Sequence, residues 1–376
     1  MGRIEEFDLA APAPNGLRRG RTTGSCATAA VKAALNLLLR GEHCARVSVS
    51  LPDGVHYLVV PIQNSYWIDR HTVRVEVIKD GGDDPDNTHG ATIFAEVRRN
   101  VEGKIRFFAG RGVGTATQPG LRVAVGEPAI NPVPRQMMRQ AVSEVLGEEC
   151  DDDGFDLTIG CENGEAIARK TFNPRLGILG GISILGTSGI VEPLSQASWI
   201  ASIEVYVRVA LGGGAQSAAY LPGKIGRAYA EAVLDLPEKR VVHIANFLGE
   251  ALDFMQAALI DERRKLDVLW LLGHPGKLAK VLDGAWDTHS SRSGMAMGCV
   301  ARVAQECGLD PHLVQEMEHS NTVEAAMERL KREPGAQALW MEIERRIAEL
   351  VHERVPAAAR IEVRLFDLHG NTLGAP

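Results

Sequence analysis

Five stretches in the second half of the chain decide its fold: AQSAAYL (residues 215–221), KIGRAYAEAVL (224–234), RVVHIA (240–245), FLGEALDFMQAAL (247–259) and LDVLWLL (266–272). The first, third and fifth are short apolar runs typical of buried strands, whereas the other two have helical spacing of apolar residues. Alternation of strands and helices implies crossover connections, and therefore a mainly parallel sheet with helices on its faces. We predict a three-layer α/β/α domain.

Further helices surround these alternating elements. One is predicted before them, and the helical C-terminal part that follows ends in a strand that could close the sheet edge. The predicted helices are 195–211, 295–307, 313–318, 322–331 and 337–351, and the strand is 361–366. We assign this α/β domain to residues 181–376.

The first half has a different pattern, which predicts a β-rich α+β domain over residues 17–180 behind a flexible lead-in at 1–16. A threonine and serine N-cap signal precedes an alanine- and leucine-rich helix at 26–40, and Gly41 is its stop signal. A second helix is predicted at 134–146. Short alternating runs separated by turns predict the strands 46–51, 56–62, 72–78, 92–98, 104–108, 121–125, 156–161 and 166–170.

Composition and charge exclude several classes of protein. The chain of 376 residues is 45% hydrophobic and 24% charged, a composition typical of globular proteins. Its net charge is −7, so it lacks the excess of basic residues that is typical of a nucleic-acid-binding protein. No apolar run reaches the length of a membrane span, and the N-terminus has no secretory pattern. Six cysteines without a C-x-x-C pair favour reduced thiols and a cytoplasmic location: Cys26, Cys44, Cys150, Cys161, Cys299 and Cys307.

Two loops in the first half concentrate charge. The segment 17–26, LRRGRTTGSC, places three arginines and three hydroxyls before a helix, which suits a carboxylate or phosphate. Solvated arginines beside an ordinary helix cap are the alternative. The segment 79–90, KDGGDDPDNTHG, packs acids and a histidine into one loop and lacks the spacing of a calcium loop. It could place a general base or hold a hard cation, or it could be an Asp/Gly turn.

Glycine is abundant, at 39 residues, and it concentrates in two segments. Residues 110–115, GRGVGT, fail both the dinucleotide and the P-loop patterns, and a tight turn is the alternative to a ligand contact. Residues 171–189, TFNPRLGILGGISILGTSG, favour a ligand-facing loop over a tight interdomain crossing. Between them, the prolines of 127–135 would preorganise Asn131 and Arg135, unless the segment is only a rigid connector.

A turn in the second half also carries polar groups. The strand ending near Leu272 leads into GHPGKL (273–278), followed by DTHS (287–290). Ligands bind at the carboxyl ends of strands in open α/β sheets, so His274, Lys277 and His289 are well placed. No Ser-His-Asp triad can be assembled from them.

Seven motifs occur in this order: LRRGRTTGSCA, KDGGDDPDNTHG, GRGVGTATQPGL, GEPAINPVPR, KTFNPRLGILGGISILGTSGIV, GHPGKL and DTHS. Together they closely resemble the CbiD family of cobalamin biosynthesis, from about residue 17 to the end. The resemblance implies S-adenosylmethionine-dependent methylation of C-1 of cobalt-precorrin-5B, giving cobalt-precorrin-6A on the anaerobic pathway. It implies a small-molecule tetrapyrrole substrate that brings its own cobalt, and no metal held by the protein.

The reaction suggests a role for each group of candidate residues, as hypotheses. Catalytic candidates are Asp84, His89, His274 and His289. Candidates for the methyl donor are Asp83, Asp86, Gly112, Gly180, Gly181, Gly186, Thr187, Gly273, Lys277 and Ser290. Candidates for the polycarboxylate substrate are Arg18, Arg19, Arg21, Thr22, Thr23, Ser25, Asn131, Arg135, Asn173 and Arg175.

Two other functions stay open from the sequence. One is a non-catalytic tetrapyrrole-binding pathway protein, and the other is a metal-dependent hydrolase that uses the acidic loop. A nucleotide-binding kinase is disfavoured because its phosphate loop is missing. The sequence does not fix the oligomeric state, so a homo-oligomer and transient contacts with other corrin-pathway enzymes are both left open. We expect no nucleic-acid or membrane partner.

Overall fold

A computed structural model of the chain describes residues 4–147, 154–320, 322–331 and 333–374. It divides into two compact units, Met1–Gln196 and Ala197–Pro376. Cys150 and the first three residues of the predicted lead-in lie outside the described residues. The segment after residue 180 belongs to the first unit, because Gly181 and Ile182 pair with Gly112 and Val113.

The first unit contains mostly strands. Its elements are β1 (Glu5–Glu6), β2 (Gly20–Arg21), α1 (Thr23–Arg40), β3 (Arg46–Ser50), β4 (His56–Pro61), β5 (Asn64–Trp67), β6 (Thr72–Ile78), β7 (Thr92–Asn100), β8 (Ile105–Ala109), β9 (Gly112–Val113), β10 (Thr115–Ala116), α2 (Pro132–Leu146), β11 (Gly154–Cys161), α3 (Gly164–Ala168), β12 (Ile178–Leu179), β13 (Gly181–Ile182) and β14 (Ile190–Val191).

A five-stranded sheet in the order β5-β6-β7-β11-β8 carries the core of this unit. Its pairs are antiparallel except for β8 with β11. Alternate residues of β6, Val73, Val75 and Val77, are fully buried and share a core cluster with the apolar residues of α1. Thr22 caps α1, and Gly41 ends the helix in the left-handed conformation, as the sequence predicts. The predicted β-rich α+β architecture is confirmed.

Two predicted strands of this unit are wrong. Residues 166–170 lie mostly in α3, because Asn163 has a φ of 56° and turns the chain into a helical turn at Gly164. Residues 121–125 form bends between two glycines with positive φ, and Val125 is 57% exposed, so their alternation faces no core. Strand β5 was missed.

The second unit follows the predicted alternation. Its elements are α4 (Gln196–Leu211), which begins at the last residue of the first unit, then β15 (Ser217–Leu221), α5 (Arg227–Ala232), β16 (Val241–His243), α6 (Leu248–Asp261), β17 (Leu266–Gly273), α7 (Pro275–Leu278), α8 (Met297–Glu306), α9 (Pro311–Glu318), α10 (Val323–Leu330), α11 (Ala336–Arg354) and β18 (Ala358–Leu365).

The four strands of the second unit form a wholly parallel sheet in the order β16-β15-β17-β18. Both faces are buried: Ala218 and Tyr220 belong to the large core cluster, whereas Ala219 and Leu221 belong to a smaller cluster that includes Ala230 of α5. Alternate residues of β15 therefore contact helices on opposite faces. This confirms the three-layer prediction, and β18 closes the sheet edge.

Candidate functional site

The N-terminus of α1 is already occupied by the chain itself. Thr22 Oγ1 accepts a hydrogen bond from the Ser25 N–H at 3.1 Å, and the Gly24 N–H donates to the carbonyl of Leu185 at 3.0 Å. These bonds satisfy N–H groups that an anion would otherwise bind. The three predicted hydroxyls also face inward, because each is buried.

These hydroxyls attach the glycine-rich loop to the helix. Ser25 Oγ donates to the Gly189 carbonyl at 2.8 Å, and Thr22 Oγ1 donates to the same oxygen at 3.3 Å. Thr23 Oγ1 accepts from the Leu185 N–H at 2.9 Å. The structure thus brings together segments 17–26 and 171–189, which are far apart in sequence. Contact of the three hydroxyls with substrate stays a prediction.

The three arginines of the first motif differ in their partners. Arg18 makes two hydrogen bonds to the Asp80 carboxylate, at 2.7 and 2.9 Å. Arg19 Nε donates to Glu192 Oε1 at 2.6 Å. Arg21 forms no ion pair with any carboxylate in the part of the chain that the structure describes. Of the three arginines, only Arg21 therefore has a charge that is not paired with a carboxylate of the described residues, so it is the one best able to bind an anionic ligand.

The Arg18–Asp80 pair gives a pH prediction. The hydrogen bond from Arg18 holds the pKa of Asp80 at about 2, below its ordinary 3.8. The pair therefore stabilises the first unit fully above pH 3.8, and this contribution disappears as the pH falls through 2. Because both side chains are more than a third exposed, we expect less than about 1 kcal/mol. Acid titration of unfolding in Arg18→Gln should lack this small slope, and an unchanged slope would contradict the assignment.

The acidic loop is held by its own chain. The Lys79 ammonium, 1% exposed, lies 2.6 Å from Asp86 Oδ2, and the Thr88 hydroxyl donates to the same oxygen at 2.7 Å. Burial raises the pKa of Asp86, but the charge of Lys79 and these hydrogen bonds outweigh it, so that pKa lies below its ordinary value. Asp83 Oδ2 accepts the Arg18 N–H at 2.7 Å, and Asp84 Oδ1 accepts the Leu194 N–H at 2.9 Å.

Most of the glycines that the sequence suggests for binding the methyl donor pack against other parts of the chain. Gly112 has a φ of +74°, and a Cβ placed on it would lie 2.0 Å from the Cys161 carbonyl oxygen. A Cβ on Gly181 would lie 2.1 Å from the Gly112 carbonyl oxygen, and one on Gly186 would meet Thr22 at 2.7 Å. Gly180 is open on its Cβ side. These loops therefore use glycine mainly for close packing between backbones, whereas Gly180 and the exposed Thr187 can face a ligand.

The remaining predicted substrate residues border the same segments. Arg135 Nε donates to the Ile130 carbonyl at 2.8 Å, and its terminal nitrogens lie 3.1 Å from Glu127 Oε2. Asn173 is buried, and its Nδ2 donates to the Gly181 carbonyl at 3.1 Å. Asn131 is the N-cap of α2, and Arg175 is exposed, 5.5 Å from the centre of the Phe172 ring.

A second group of polar residues lies at the carboxyl edge of the parallel sheet. The chain leaves β15 toward β16 on one side and later returns to β17 on the other side, so the topological switch point lies between β15 and β17. Ligands of open α/β sheets bind in the crevice at this point. Lys277 Nζ donates to the Pro222 carbonyl at 2.7 Å, which joins the loops that follow these two strands.

Sequence reasoning missed the loop after β15. Residues 222–226, PGKIG, follow the strand directly, and Gly223 has open space on its Cβ side. A Pro-Gly pair at the end of a buried strand was the available signal. The hydrogen bond from Lys277 to Pro222 brings this loop and residues 273–277 together at the switch point.

Two buried polar atoms of the second unit have no hydrogen-bond partner in the part of the chain that the structure describes: His274 Nε2 and Thr288 Oγ1. His274 Nε2 lies 3.3 Å from Glu324 Oε1 without hydrogen-bond geometry. Burial lowers the pKa of His274, and burial together with Lys280 lowers that of Lys277. Lys280, also buried, donates to the Thr288 carbonyl at 3.2 Å.

The three predicted histidines share one hydrogen-bonding pattern. In each, Nδ1 accepts a backbone N–H: from Gly81 to His89 at 3.2 Å, from Gly276 to His274 at 3.1 Å, and from Ser291 to His289 at 3.2 Å. A neutral imidazole that accepts at Nδ1 carries its proton on Nε2. Each ring is therefore set up to donate a hydrogen bond from Nε2, and accepting a proton at Nδ1 would break an existing bond. These three rings suit donation to a ligand better than general-base catalysis.

The predicted catalytic residues fall in both units. Asp84 and His89 lie in the acidic loop of the first unit, whereas His274 and His289 lie at the sheet edge of the second. Asp287 accepts from Asn246 Nδ2 at 2.7 Å and from the His289 N–H at 3.1 Å, which fixes the loop that carries His289 and the exposed Ser290. Gly273, at the end of β17, is buried against Pro222.

Searches for two further kinds of site covered only the described residues. Across 4–147, 154–320, 322–331 and 333–374, no group of three or more His, Cys, Asp or Glu side chains is arranged to hold a metal ion. Over the same ranges, no helix is both long and apolar enough to cross a membrane.

Comparison with known proteins matches nearly the whole chain. The family models CbiD and "CbiD, C-terminal domain" match residues 11–193 and 287–376. A Ralstonia nicotianae protein named cobalt-precorrin-5B C(1)-methyltransferase is 64% identical over 369 residues, 98% of this chain and 96% of the relative. A Chromobacterium violaceum protein of the same name is 60% identical over 98% of each chain. The 1.9 Å crystal structure of cobalamin biosynthesis protein (cbiD) from Archaeoglobus fulgidus is 29% identical, covering 79% of this chain and 87% of that one, with a TM-score of 0.39. The chain belongs to the CbiD family.

Proposed function

We propose that this chain transfers a methyl group from S-adenosylmethionine to C-1 of cobalt-precorrin-5B, giving cobalt-precorrin-6A in anaerobic cobalamin biosynthesis. The observation that carries the proposal is the 64% identity, over 98% of the chain, to a relative named for this activity. Identity of this extent supports the same site chemistry in both proteins. Cobalt enters only as part of the substrate.

The methyl donor is assigned to the switch-point crevice of the second unit. S-adenosylmethionine supplies an electrophilic methyl group on a sulfonium and carries a carboxylate and an ammonium. The loops that meet at this edge offer matching groups: the Lys277 ammonium and the open backbone at Gly223. Gly273 permits the close packing of Pro222.

The substrate needs cationic and hydrogen-bonding partners for its acetate and propionate arms. Exposed or uncommitted groups of the first unit suit this task best: Arg21, the exposed Arg175, and the Nε2 donor of the exposed His89. Among the described residues, Asp84 accepts one backbone hydrogen bond, at Oδ1, which leaves its other oxygen for a ligand or a proton. Positioning by such contacts, more than covalent chemistry of the protein, supplies most of the acceleration of a methyl transfer.

Methyl transfer with the intact chain tests the proposal. Purified protein is incubated with cobalt-precorrin-5B and S-adenosylmethionine labelled in its methyl group, and label in the corrin ring is the expected result. Asp84→Asn should lower the single-turnover rate by about 10²–10⁴-fold while tetrapyrrole binding is retained. Substrate binding without methyl transfer by the unmodified chain would instead support a non-catalytic tetrapyrrole-binding protein.

Lys277→Met tests the location of the donor. Loss of one charged hydrogen bond should weaken binding of S-adenosylhomocysteine by about tenfold or more. Lys331→Met is the matched control, since Lys331 is 58% exposed and pairs only with Glu328 among the described residues. Calorimetric titration of both variants is the measurement, and equal affinities would move the donor away from this crevice.

A further inference from the structure

The first unit contains a cavity beside Arg21, one of the residues proposed above to hold the substrate. It has a volume of about 400 Å³ and is bounded by β1 with the residues after it, by Arg21 and by β4. The residues that matter are Glu6, Phe7, Asp8, Arg21, Leu58 and Val59. A volume of this size suits a small ligand or one arm of a larger one.

Arg21 supplies the cationic group of this cavity. Its Nε is buried and has no hydrogen-bond partner among the described residues, and one terminal nitrogen reaches the Val59 carbonyl only at 3.4 Å. Its backbone N–H is bound to the Asp80 carbonyl at 2.6 Å, which fixes where the side chain starts. A buried guanidinium N–H without an acceptor is costly, and native proteins normally satisfy such groups. A ligand oxygen in the cavity would satisfy it.

The apolar part of the lining is held in place. Leu58 is fully buried, and the N–H of Phe7 is bound to the Tyr57 carbonyl at 2.8 Å. The Phe7 ring meets the edge of His56 at 5.7 Å between centroids, and Arg19 lies 5.6 Å from the same ring. The aliphatic chain of a ligand would therefore contact a preformed wall at the partly exposed Phe7 and Val59.

Two acids distinguish between kinds of carboxylate ligand. Glu6 and Asp8 also line the cavity, but both are exposed, so water screens their charge more strongly than that of the buried Arg21 Nε. A carboxylate alone would be repelled by them, whereas a carboxylate next to an ammonium would be attracted. The sign of their effect therefore reports which kind is bound.

We propose that this cavity, the Arg21 pocket, binds a single carboxylate carried on an aliphatic chain. The choice of ligand rests on the proposed function, because both reactants carry such a group: the acetate and propionate arms of the tetrapyrrole and the methionine end of the methyl donor. The pocket itself rests on Arg21 and its surroundings.

Direct binding measurements on the full chain test the pocket. The probes are butyrate, S-adenosylhomocysteine and cobyrinic acid, and the NMR signal of the Arg21 Nε–H reports contact. We expect that signal to shift with butyrate, and one of the larger probes to lose about tenfold to a hundredfold in affinity in Arg21→Gln. Arg21→Lys, which keeps the charge, should lose less. Arg98→Gln is the control, an exposed arginine on β7 of the same unit.

Charge removal from the acids then identifies the source. In Glu6→Gln with Asp8→Asn, stronger binding of cobyrinic acid assigns the pocket to a tetrapyrrole arm, and weaker binding of S-adenosylhomocysteine assigns it to the donor. An unmoved Arg21 signal with all three probes, together with unchanged affinities in a folded Arg21→Gln variant, overturns the proposal. This result would leave the methyl-transfer assay of the unmodified chain unaffected, so the two proposals fail separately.

Discussion

Replacement of Gly112 by alanine is expected to lower the free energy of unfolding of the first unit by more than about 4 kcal/mol. The new Cβ would lie 2.0 Å from the Cys161 carbonyl oxygen. Gly112 belongs to β9, which pairs with β13, whereas Cys161 ends β11, which pairs with β7 and β8. The φ of +74° adds strain for any residue with a side chain. Relief would require β9 to move from β13 or from β11. Hydrogen exchange of peptides from these strands, followed through a denaturant series, measures the loss within this unit.

Gly180→Ala provides the matched control in the partner segment. Gly180 has a φ of +89°, but nothing lies within 4 Å of its Cβ position. Alanine would be disfavoured here only by the left-handed backbone conformation, so we expect the free energy of unfolding to fall by about 1–2 kcal/mol. Equal losses in the two variants would show that the backbone contact at Gly112 contributes nothing. A folded Gly180→Ala variant with weakened donor binding would place a ligand at this exposed turn.

Sequence patterns predicted the second unit better than the first for a physical reason. Its strands β15 and β17 are continuous apolar runs because helices cover both faces of the sheet. The wrong strand at 166–170 rested on a five-residue alternation, which cannot be told from one turn of helix when Asn163 adopts a positive φ. In a short segment, the conformation of one turn residue therefore decides whether a strand or a helical turn forms.

Residue types identified the segments of the candidate site but not the partners within them. Arg18 and Arg19 look equivalent to Arg21 in the sequence. Their acids, Asp80 and Glu192, lie 62 and 173 residues further along the chain, so only the folded structure shows which arginine is uncommitted. The same holds for the histidines, because the backbone N–H that fixes each ring could not be read from residue type.

The glycine-rich segments illustrate a further limit. An excess of glycine predicts that backbone must approach something closely, without saying what. In this fold Gly112 and Gly181 approach each other, and the motifs that carry them form one packed substructure. The glycines of these motifs therefore serve packing at Gly112 as well as any ligand contact at Gly180.

Replacement of Asp86 by alanine should destabilise the first unit by about 3–5 kcal/mol, because it leaves the buried Lys79 ammonium without its counter-charge. The Thr88 hydroxyl would lose its acceptor as well. Asp83→Ala is the control: this acid of the same loop is 48% exposed, and its loss should stay within about 1 kcal/mol. Hydrogen exchange of the strands β6 and β7, which flank the loop, is the measurement.

Removing both charges separates burial of an ion from loss of packing. Lys79→Met combined with Asp86→Leu leaves no buried charge, so it should be more stable than Asp86→Ala alone. The pH dependence of unfolding provides a second measurement. Because the pKa of Asp86 is lowered, the Lys79–Asp86 pair contributes its full stabilisation of the first unit above the ordinary pKa of 3.8, and this contribution is lost as the pH falls below that value. The double variant should lack this dependence. A double variant no more stable than Asp86→Ala would show that the loop is held by Thr88 and the backbone, and Asp86 would then be free to serve a ligand, as its sequence context first indicated.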